Sequence, residues 1–257
     1  MARKPAQVTG RGGRHGGAGR VRLFGLHAVR AALVNPARTR HRLVLTETAA
    51  HRLKDAIRTA GIAPDIADAR HFGPPVDAGS AHQGAVLEAD ALAWPEPGHV
   101  CAPGGDAPVV LCLDQVTDPQ NAGAILRSAE VFGARAVIAP RRHAAPETGA
   151  LAKAASGALE RQPYLRVANL ARTLRRLRAM GYTLIGLDGG AGQVLGPALE
   201  ALAGVPVALV LGAEGAGIRR LTAQGCDMLV KIPFAHDFGS LNVSNAAAVA
   251  LYAAACR

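Results

Sequence analysis

Three short segments of the sequence contain polar side chains that could do chemistry, and each follows an apolar run. They are DPQNAGAILR (118–127), GAEGAG (212–217) and SLNVSN (240–245). The third leads straight into AAAVALYAAAC, an apolar stretch that predicts a buried helix. A helix start needs one capping side chain, whereas Ser240, Asn242, Ser244 and Asn245 offer four. Since a buried polar group without a partner costs about 1–3 kcal/mol, the surplus predicts a ligand, a partner chain or a polar network.

The other two segments contain side chains that could bind a ligand or cap a helix. Glu214 stands among glycines, where backbone N–H groups could receive a ligand and the carboxylate could accept hydrogen bonds or balance a cation. GAEGAG lacks the Gly-Lys-Ser/Thr of a phosphate-binding loop and the pattern of a dinucleotide site, and a tight turn without a ligand also explains its glycines. In the first segment we predict Asn121 as the helix N-cap and Gly123 as a point of close approach. Arg127 is either functional or an ordinary surface residue.

Alternating strands and helices must position these segments. From residue 108 onward the pattern predicts many strands, of which VVLCLD (109–114), PVALVLG (206–212) and DMLVKIP (227–233) each precede one of the three segments. Strands that alternate with helices predict an α/β fold with a mostly parallel sheet, and ligands bind such sheets beyond the carboxyl ends of the strands. The basic face of the helix predicted at 168–181 is typical of a solvated surface, with an RNA track as the alternative.

Changes in composition along the chain predict its domain organisation. Residues 1–20 are rich in glycine and arginine and predict a flexible basic arm. The periodic segments of 21–94 predict a small α/β domain. Residues 95–107 contain proline and glycine without periodicity and predict a linker, so that 108–257 form a second α/β domain.

Charge and composition narrow the class of protein. The net charge is +10, and ten of the 29 Lys and Arg residues lie in 1–46, which contains no acidic residue. A basic arm suits the phosphate backbone of a nucleic acid, with a solubilising tail as the alternative. No apolar run reaches the ~18–20 residues of a membrane helix, no signal segment follows Met1, and the four cysteines have no C-x-x-C spacing. We therefore expect a cytoplasmic protein without a membrane span or a metal site.

Taken together and in this order, the three segments resemble the signature motifs of the SpoU (TrmH) family in the SPOUT superfamily. The motifs are N-x-G-x-x-x-R (121–127), LVLGAEGAGI (209–218) and IPF…SLNVSNAAAVALY (232–252). The family consists of RNA ribose 2'-O-methyltransferases that use S-adenosyl-L-methionine. GLHAVRAAL and HQGAVLE in the front domain resemble the ribosomal-protein L30e-like RNA-binding domain of bacterial members that act on large-subunit ribosomal RNA. The resemblance covers nearly everything after residue 20.

The resemblance implies a fold, a cofactor, a partner and a set of site residues. The implied second domain is an α/β sheet with a C-terminal trefoil knot that holds S-adenosyl-L-methionine, and the implied assembly is a homodimer in which the other subunit helps complete the site. The implied substrate is a guanosine of 23S rRNA, with a transfer RNA or a non-catalytic role in ribosome assembly as alternatives. Implied cofactor-binding residues are Gly212, Ile232, Leu241, Leu187 and Gly217. Implied catalytic residues are Arg127, Asn121, Glu214, Asn242 and Ser240.

The resemblance also suggests how these residues act and where the chain departs from the family. Arg127 would lie beside the ribose hydroxyl, and because a guanidinium is a poor base we expect it to hold the adjacent phosphate and stabilise oxyanion character. Asn121 and Glu214 would orient Arg127, the ribose or the loop. Phe234 and His236 replace residues common in the family's I-P-M stretch, and His236 is expected to be an exposed loop residue.

Overall fold

Two β-sheets organise the chain in the computed structural model, which describes residues 19–68, 81–105, 107–235 and 240–257. The N-terminal sheet has the order β1-β4-β2-β3, with β4 antiparallel to both β1 and β2 and with β3 parallel to β2. Its strands are β1 (Arg20–Phe24), β2 (Arg40–Leu45), β3 (Asp65–Ile66) and β4 (Ala85–Asp90). Its helices are α1 (Leu26–Val34) and α2 (Glu47–Ala60), followed by the short α3 (Pro97–Val100).

The second sheet contains seven strands, and every pair of neighbours is parallel. The strands are β5 (Val109–Asp114), β6 (Ala136–Pro140), β7 (Tyr164–Val167), β8 (Thr183–Leu187), β9 (Gln193–Val194), β10 (Val207–Gly212) and β11 (Met228–Lys231). The helices are α4 (Pro119–Val131), α5 (Gly149–Ala154), α6 (Leu170–Ala179), α7 (Leu195–Glu200), α8 (Arg220–Gln224) and α9 (Val243–Ala255), with a short 3₁₀ helix at Ala158–Glu160. The prediction of an α/β fold with a mostly parallel sheet is confirmed.

The strand order places a crevice beside β5 and β10. The order is β7-β6-β5-β10-β8-β11-β9, so that the chain leaves β5 toward β6 on one side while β10 has β8 on the other. Because the connections diverge here, the carboxyl ends of β5 and β10 border an open site. The apolar runs VVLCLD and VALVLG form these central strands because both of their faces are covered, and residues 110–114 and 207–211 are buried.

The helix starts differ from the sequence expectation. Asn121 is not the N-cap of α4. Asp118 takes that position and accepts hydrogen bonds from the backbone nitrogens of Gln120 and Asn121 at 3.1 and 3.2 Å, with Pro119 as the first helical residue. Asn242 caps α9 and accepts from Ser244 N at 2.8 Å. The side chain of Asn121 is therefore left for other contacts.

A buried arginine joins the two sheets. The Arg38 side chain is fully buried, and its guanidinium binds Glu160 Oε1 and Glu147 Oε1, each at 2.6 Å. Asn35 Nδ2 donates to Glu160 Oε2 at 2.8 Å. Burial raises the pKa of the Glu147 carboxyl, and Arg38 opposes that shift. The division into domains at 21–94, 95–107 and 108–257 stays a prediction, but contacts across it include this network.

Two sequence expectations concern segments that lie partly or wholly outside the described residues. The basic arm predicted at 1–20 is described only from residue 19, and His236 lies outside the described residues altogether. In the part of the chain that the structure describes, no helix combines the length and apolar character needed to cross a membrane. The same residues contain no cluster of three or more His, Cys, Asp or Glu side chains arranged to bind a metal.

Candidate active site

The site is built on hydrogen bonds between the ends of three elements. Asn121 lies in the first turn of α4, Glu214 follows β10, and Asn242 precedes α9. Glu214 Oε1 accepts from Asn121 Nδ2 at 3.0 Å and from Asn242 Nδ2 at 2.5 Å. Asn242 Nδ2 also donates to Asn121 Oδ1 at 2.9 Å. One residue from each of the three sequence segments therefore meets at the crevice between β5 and β10.

Asn242 connects this network to the start of α9. Its Oδ1 accepts from the backbone nitrogen and the hydroxyl of Ser244 at 2.8 and 2.5 Å, while its Nδ2 faces Asn121 and Glu214. Val243 N also lies 3.4 Å from Glu214 Oε1. Two of the four polar residues of SLNVSN, Asn242 and Ser244, thus serve a helix cap and a network that fixes the loop after β10.

The loop after β10 turns back closely on its own start. Gly217 N donates to Ala213 O at 2.9 Å, and Gly215 and Gly217 have φ angles of 75° and 64°, which favour glycine. A Cβ on Gly212 would lie 1.9 Å from the carbonyl carbon of Gly217. Glycine is needed here because the returning backbone occupies the space of a side chain.

A buried carboxylate holds the other end of this loop. Asp114 at the end of β5 is completely buried, and its Oδ1 lies 2.7 Å from Arg219 Nη2 and 2.8 Å from Arg219 Nε. Its Oδ2 accepts from Arg219 N at 3.2 Å. Sequence reasoning missed both residues, since only the pairing of β5 with β10 brings them together. An aspartate at the end of an otherwise apolar strand was the available signal.

A cleft of 440 Å³ opens beside the network at the carboxyl ends of β8, β10 and β11. It has the size of a small-molecule site. Apolar side chains and main-chain groups of the 212–217 loop form its walls, together with Asp188 and Glu214, and no Lys or Arg belongs to the lining in the described part of the chain. The predicted residues that line it are Leu187, Gly212, Glu214, Gly217, Ile232, Ser240 and Leu241.

The lining suits S-adenosyl-L-methionine. A nucleoside needs apolar walls and main-chain hydrogen-bonding groups, and the 212–217 loop, which lines the cleft, provides main-chain groups without bulky side chains. The sulfonium of the cofactor carries a positive charge. The described lining contains two carboxylates and no cation, so its electrostatic potential favours the sulfonium. Phe234, a departure from the family pattern, lies in the same lining and is 41% exposed, so it adds an aromatic wall.

Arg127 is the predicted site residue that stands apart from the network. It lies on α4 six residues after Asn121, so the two side chains point about 120° apart around the helix. Arg127 is exposed, and no residue in the described ranges forms a hydrogen bond or an ion pair with its guanidinium. Gly123 allows α4 to approach α5 closely, because a Cβ at this position would lie 2.5 Å from the Cβ of Ala154 in α5.

Comparison with known proteins identifies the family. The model of the SpoU rRNA Methylase family matches residues 108–252, which include all three segments. The chain belongs to the SpoU rRNA methylase family. The prediction of that family from the three motifs is confirmed, and the match begins where the second sheet begins.

Individual relatives extend the similarity of this SpoU family member to nearly the whole chain. A 23S rRNA (guanosine-2'-O-)-methyltransferase from Ralstonia nicotianae is 42% identical over 237 residues, covering 90% of this chain and 94% of the relative. The enzyme of the same name from Escherichia coli is 36% identical over 244 residues, covering 90% and 96%. A crystal structure of the SpoU methyltransferase AviRb from Streptomyces viridochromogenes with AdoMet has a TM-score of 0.77 at 23% identity, covering 93% of this chain and 90% of that one. That last similarity shows a shared fold.

Proposed function

We propose that the protein transfers a methyl group from S-adenosyl-L-methionine to the 2'-hydroxyl of a guanosine in 23S rRNA. Family membership and the names of relatives that match along 90% of the chain support this function. The structural observation that carries it is the meeting of Asn121, Glu214 and Asn242 beside a cleft suited to the cofactor. The bound cofactor supplies an electrophilic methyl group on a cationic sulfur.

Cofactor binding falls to the residues that line the 440 Å³ cleft. Leu187, Ile232 and Leu241 provide apolar contacts at the ends of β8 and β11 and before α9, and Gly212 and Gly217 provide main-chain surface. Glu214 holds the glycine loop against α9 through its bonds to Asn242 and Val243. A fixed loop holds the methyl donor in one position, and accurate placement of reactants can lower a barrier by about 7–11 kcal/mol.

The residues around the ribose orient the hydroxyl and stabilise its charge. Asn121, Asn242 and Ser240 offer amide and hydroxyl groups at the cleft mouth. A guanidinium is a poor general base near pH 7, so Arg127 binds the phosphate next to the target ribose and stabilises negative charge on the attacking oxygen. The lack of a described partner for Arg127 supports this role, because its donors are available.

We propose that a homodimer places Arg127 of one subunit beside the active site of the other. Arg127 and Val131 are separated by one helical turn on α4, and Val131 is 70% exposed. Val249 and Tyr252 on α9 are 42% and 61% exposed, and the Tyr252 ring lies 6.0 Å from that of Phe132. This apolar surface suits burial against a second copy. Arg127 at its border then contributes to the site of the partner subunit.

Asn245 fits the same arrangement. It is exposed on α9 and shares a helix face with Val249 and Tyr252, because positions four and seven residues apart lie on one side of a helix. We assign it to the dimer surface, where an amide can pair across the interface. Its position on this face explains why Asn245 is not part of the hydrogen-bond network of Asn121, Glu214 and Asn242.

A C-terminal trefoil knot and an RNA-binding front domain complete the proposal. Residues 211–218 line one cleft together with Ser240, Leu241, Val243 and Ala246. Helix α9 returns from β11 to pack on α4 and β10, which supports threading of the chain end past the 212–219 loop. Knots are rare in proteins, so the family supplies the main argument. The sheet and helices of 20–90 provide the front domain, for which we propose an L30e-like fold that binds RNA.

Mapping of 2'-O-methyl groups in total RNA from cells with and without the gene tests the proposed substrate. We expect one 23S rRNA guanosine to lose its methyl group in the deletion strain and to regain it with the wild-type gene. Loss confined to transfer RNA would contradict the ribosomal substrate, and an unchanged map would contradict the activity.

A further inference from the structure

A second and larger cleft lies between the two sheets. Its volume is 960 Å³. One wall is residues 91–97, which leave the front sheet after β4, and the other is the edge strand β7 with the first turns of α6. We call it the arginine cleft, because Arg141, Arg166, Arg172 and Arg176 belong to its lining and Glu96 is the one acidic member in the described chain.

The guanidinium groups of two of these arginines donate hydrogen bonds to main-chain carbonyl groups, whereas those of the other two form no hydrogen bond with the described residues. Arg166 donates to the carbonyl oxygens of Pro140 and Ala145 at 3.2 and 2.6 Å, and Arg141 donates to Arg166 O at 3.1 Å. The guanidinium groups of Arg172 and Arg176 have no hydrogen-bonded or ionic partner among the described residues, and both residues are exposed on α6. The cleft therefore combines four guanidinium groups with one carboxylate, that of Glu96, and its described lining carries a net positive charge.

The arginine cleft shares an edge of the sheet with the candidate active site. All seven strands are parallel, so their carboxyl ends face the same edge. Val167 ends β7 and Arg141 follows β6, whereas Asp114 ends β5. Since β7 is three strands from β10 and neighbouring strands lie about 4.8 Å apart, the arginine cleft is about 14 Å from the loop after β10 across the sheet. A polymer that reaches one of them can reach the other.

Trp94 adds a second observation at this cleft. It is part of the lining. Among the described residues, its indole Nε1 is the buried polar side-chain atom that forms no hydrogen bond. Trp94 is also the single tryptophan of the chain, so its fluorescence reports on this cleft alone.

We propose that the arginine cleft binds the sugar–phosphate backbone of the RNA beside the target nucleotide and guides the strand from the front domain to the active site. This inference rests on the proposed function and adds a binding surface to it. The opposite charges of the two clefts support it, because the cofactor cleft is lined by two carboxylates and repels phosphate, while the arginine cleft attracts it.

Charge removal at Arg172 tests the inference against a matched control on the same helix. Arg175 is exposed on α6 and is not part of the lining. We expect Arg172→Ala in the full-length protein to weaken binding of deproteinised 23S rRNA on the order of fivefold and to reduce the slope of log K against log salt by about 1. Arg175→Ala should match the wild type in both, and oligouridylate should change Trp94 fluorescence.

Cofactor binding and methyl transfer separate this inference from the proposed function. Arg172→Ala should keep the wild-type Kd for S-adenosyl-L-methionine and the wild-type kcat, with a raised KM for RNA. Equal RNA affinity and salt slope in Arg172→Ala, Arg175→Ala and the wild type would overturn the cleft as an RNA site, even if all three methylate RNA. If no variant methylates RNA but Arg172→Ala alone weakens binding, the proposed function fails and the RNA-binding cleft stands.

Discussion

Gly212 gives the sharpest test of how the loop after β10 forms the cofactor cleft. A Cβ at this position would lie 1.9 and 2.0 Å from the carbonyl carbon and oxygen of Gly217 and 2.2 Å from Ile218 N. Real Cβ atoms essentially never come closer than 3.0 Å to such atoms. All three are main-chain atoms, so no side-chain rotation relieves the overlap, and Gly212→Ala must move the loop by at least about 1 Å.

That displacement should remove most of the cofactor affinity. A shift of about 1 Å breaks main-chain contacts between the loop and the cofactor, so we expect the Kd for S-adenosyl-L-methionine to rise about 100-fold, equivalent to about 2.7 kcal/mol. Isothermal titration calorimetry measures the Kd, and thermal unfolding without ligand shows whether the variant is folded.

Two further glycines calibrate the result. Gly217 has open space around its Cβ position but a φ of 64°, so Gly217→Ala should cost about 1–2 kcal/mol of backbone strain and reduce affinity less. Gly196 in α7 lies outside the cleft lining, and no atom beyond its chain neighbours lies within 4 Å of its Cβ position, so Gly196→Ala should bind the cofactor like the wild type. A folded Gly212→Ala variant that binds the cofactor like Gly196→Ala would refute the reasoning.

Substitutions elsewhere separate catalysis, assembly and folding. Arg127→Ala should abolish methyl transfer with a nearly unchanged cofactor Kd, and turnover like the wild type would remove it from the site. Asn242→Ala should raise the cofactor Kd and lower turnover, and a mixed dimer of these two variants should regain activity in a methyl-transfer assay, whereas an inactive mixed dimer would place both residues in one subunit's site. Arg38→Ala should lower the free energy of unfolding in urea by about 3–5 kcal/mol, because the buried Glu160 carboxylate and the partly buried Glu147 carboxylate lose their partner; an unchanged midpoint would contradict a stabilising role for the Arg38 network. Iodoacetamide at pH 8 should label the exposed Cys256 first. Burial raises the pKa of the Cys101 and Cys226 thiols to about 11 and keeps them protonated. Equal labelling rates for the three cysteines would contradict this expectation.

The convergence of the three polar segments was predictable from the sequence, because each follows a strand of one parallel sheet. Periodicity also predicted β5 at Val109–Asp114 and placed α9 to within one residue of its observed end. Because these site residues directly follow predicted strands, their places in the fold can be predicted as reliably as the strands themselves. This is why Glu214 and Asn242 could be singled out before their contacts were known.

Contacts between distant parts of the chain were not predictable in the same way. The pairing of Asp114 with Arg219, the cap at Asp118 and the burial of Arg38 depend on which elements become neighbours in space. The edge strand β7 was missed because it is four residues long and contains Arg166, whose guanidinium is satisfied by carbonyl groups far along the chain. The basic face of α6 was assigned to solvent for the same reason, since the opposite wall of its cleft comes from residues 91–97.

The chemical position of the transferred methyl group distinguishes ribose methylation from every other reaction of the cofactor with RNA. The purified protein is incubated with methyl-labelled S-adenosyl-L-methionine and 23S rRNA from a strain lacking the gene, and the RNA is digested to nucleosides and separated. We expect the label in 2'-O-methylguanosine, and Arg127→Ala should remove it. Label on a base, or no label in RNA that the protein binds, would contradict ribose 2'-O-methylation by this protein.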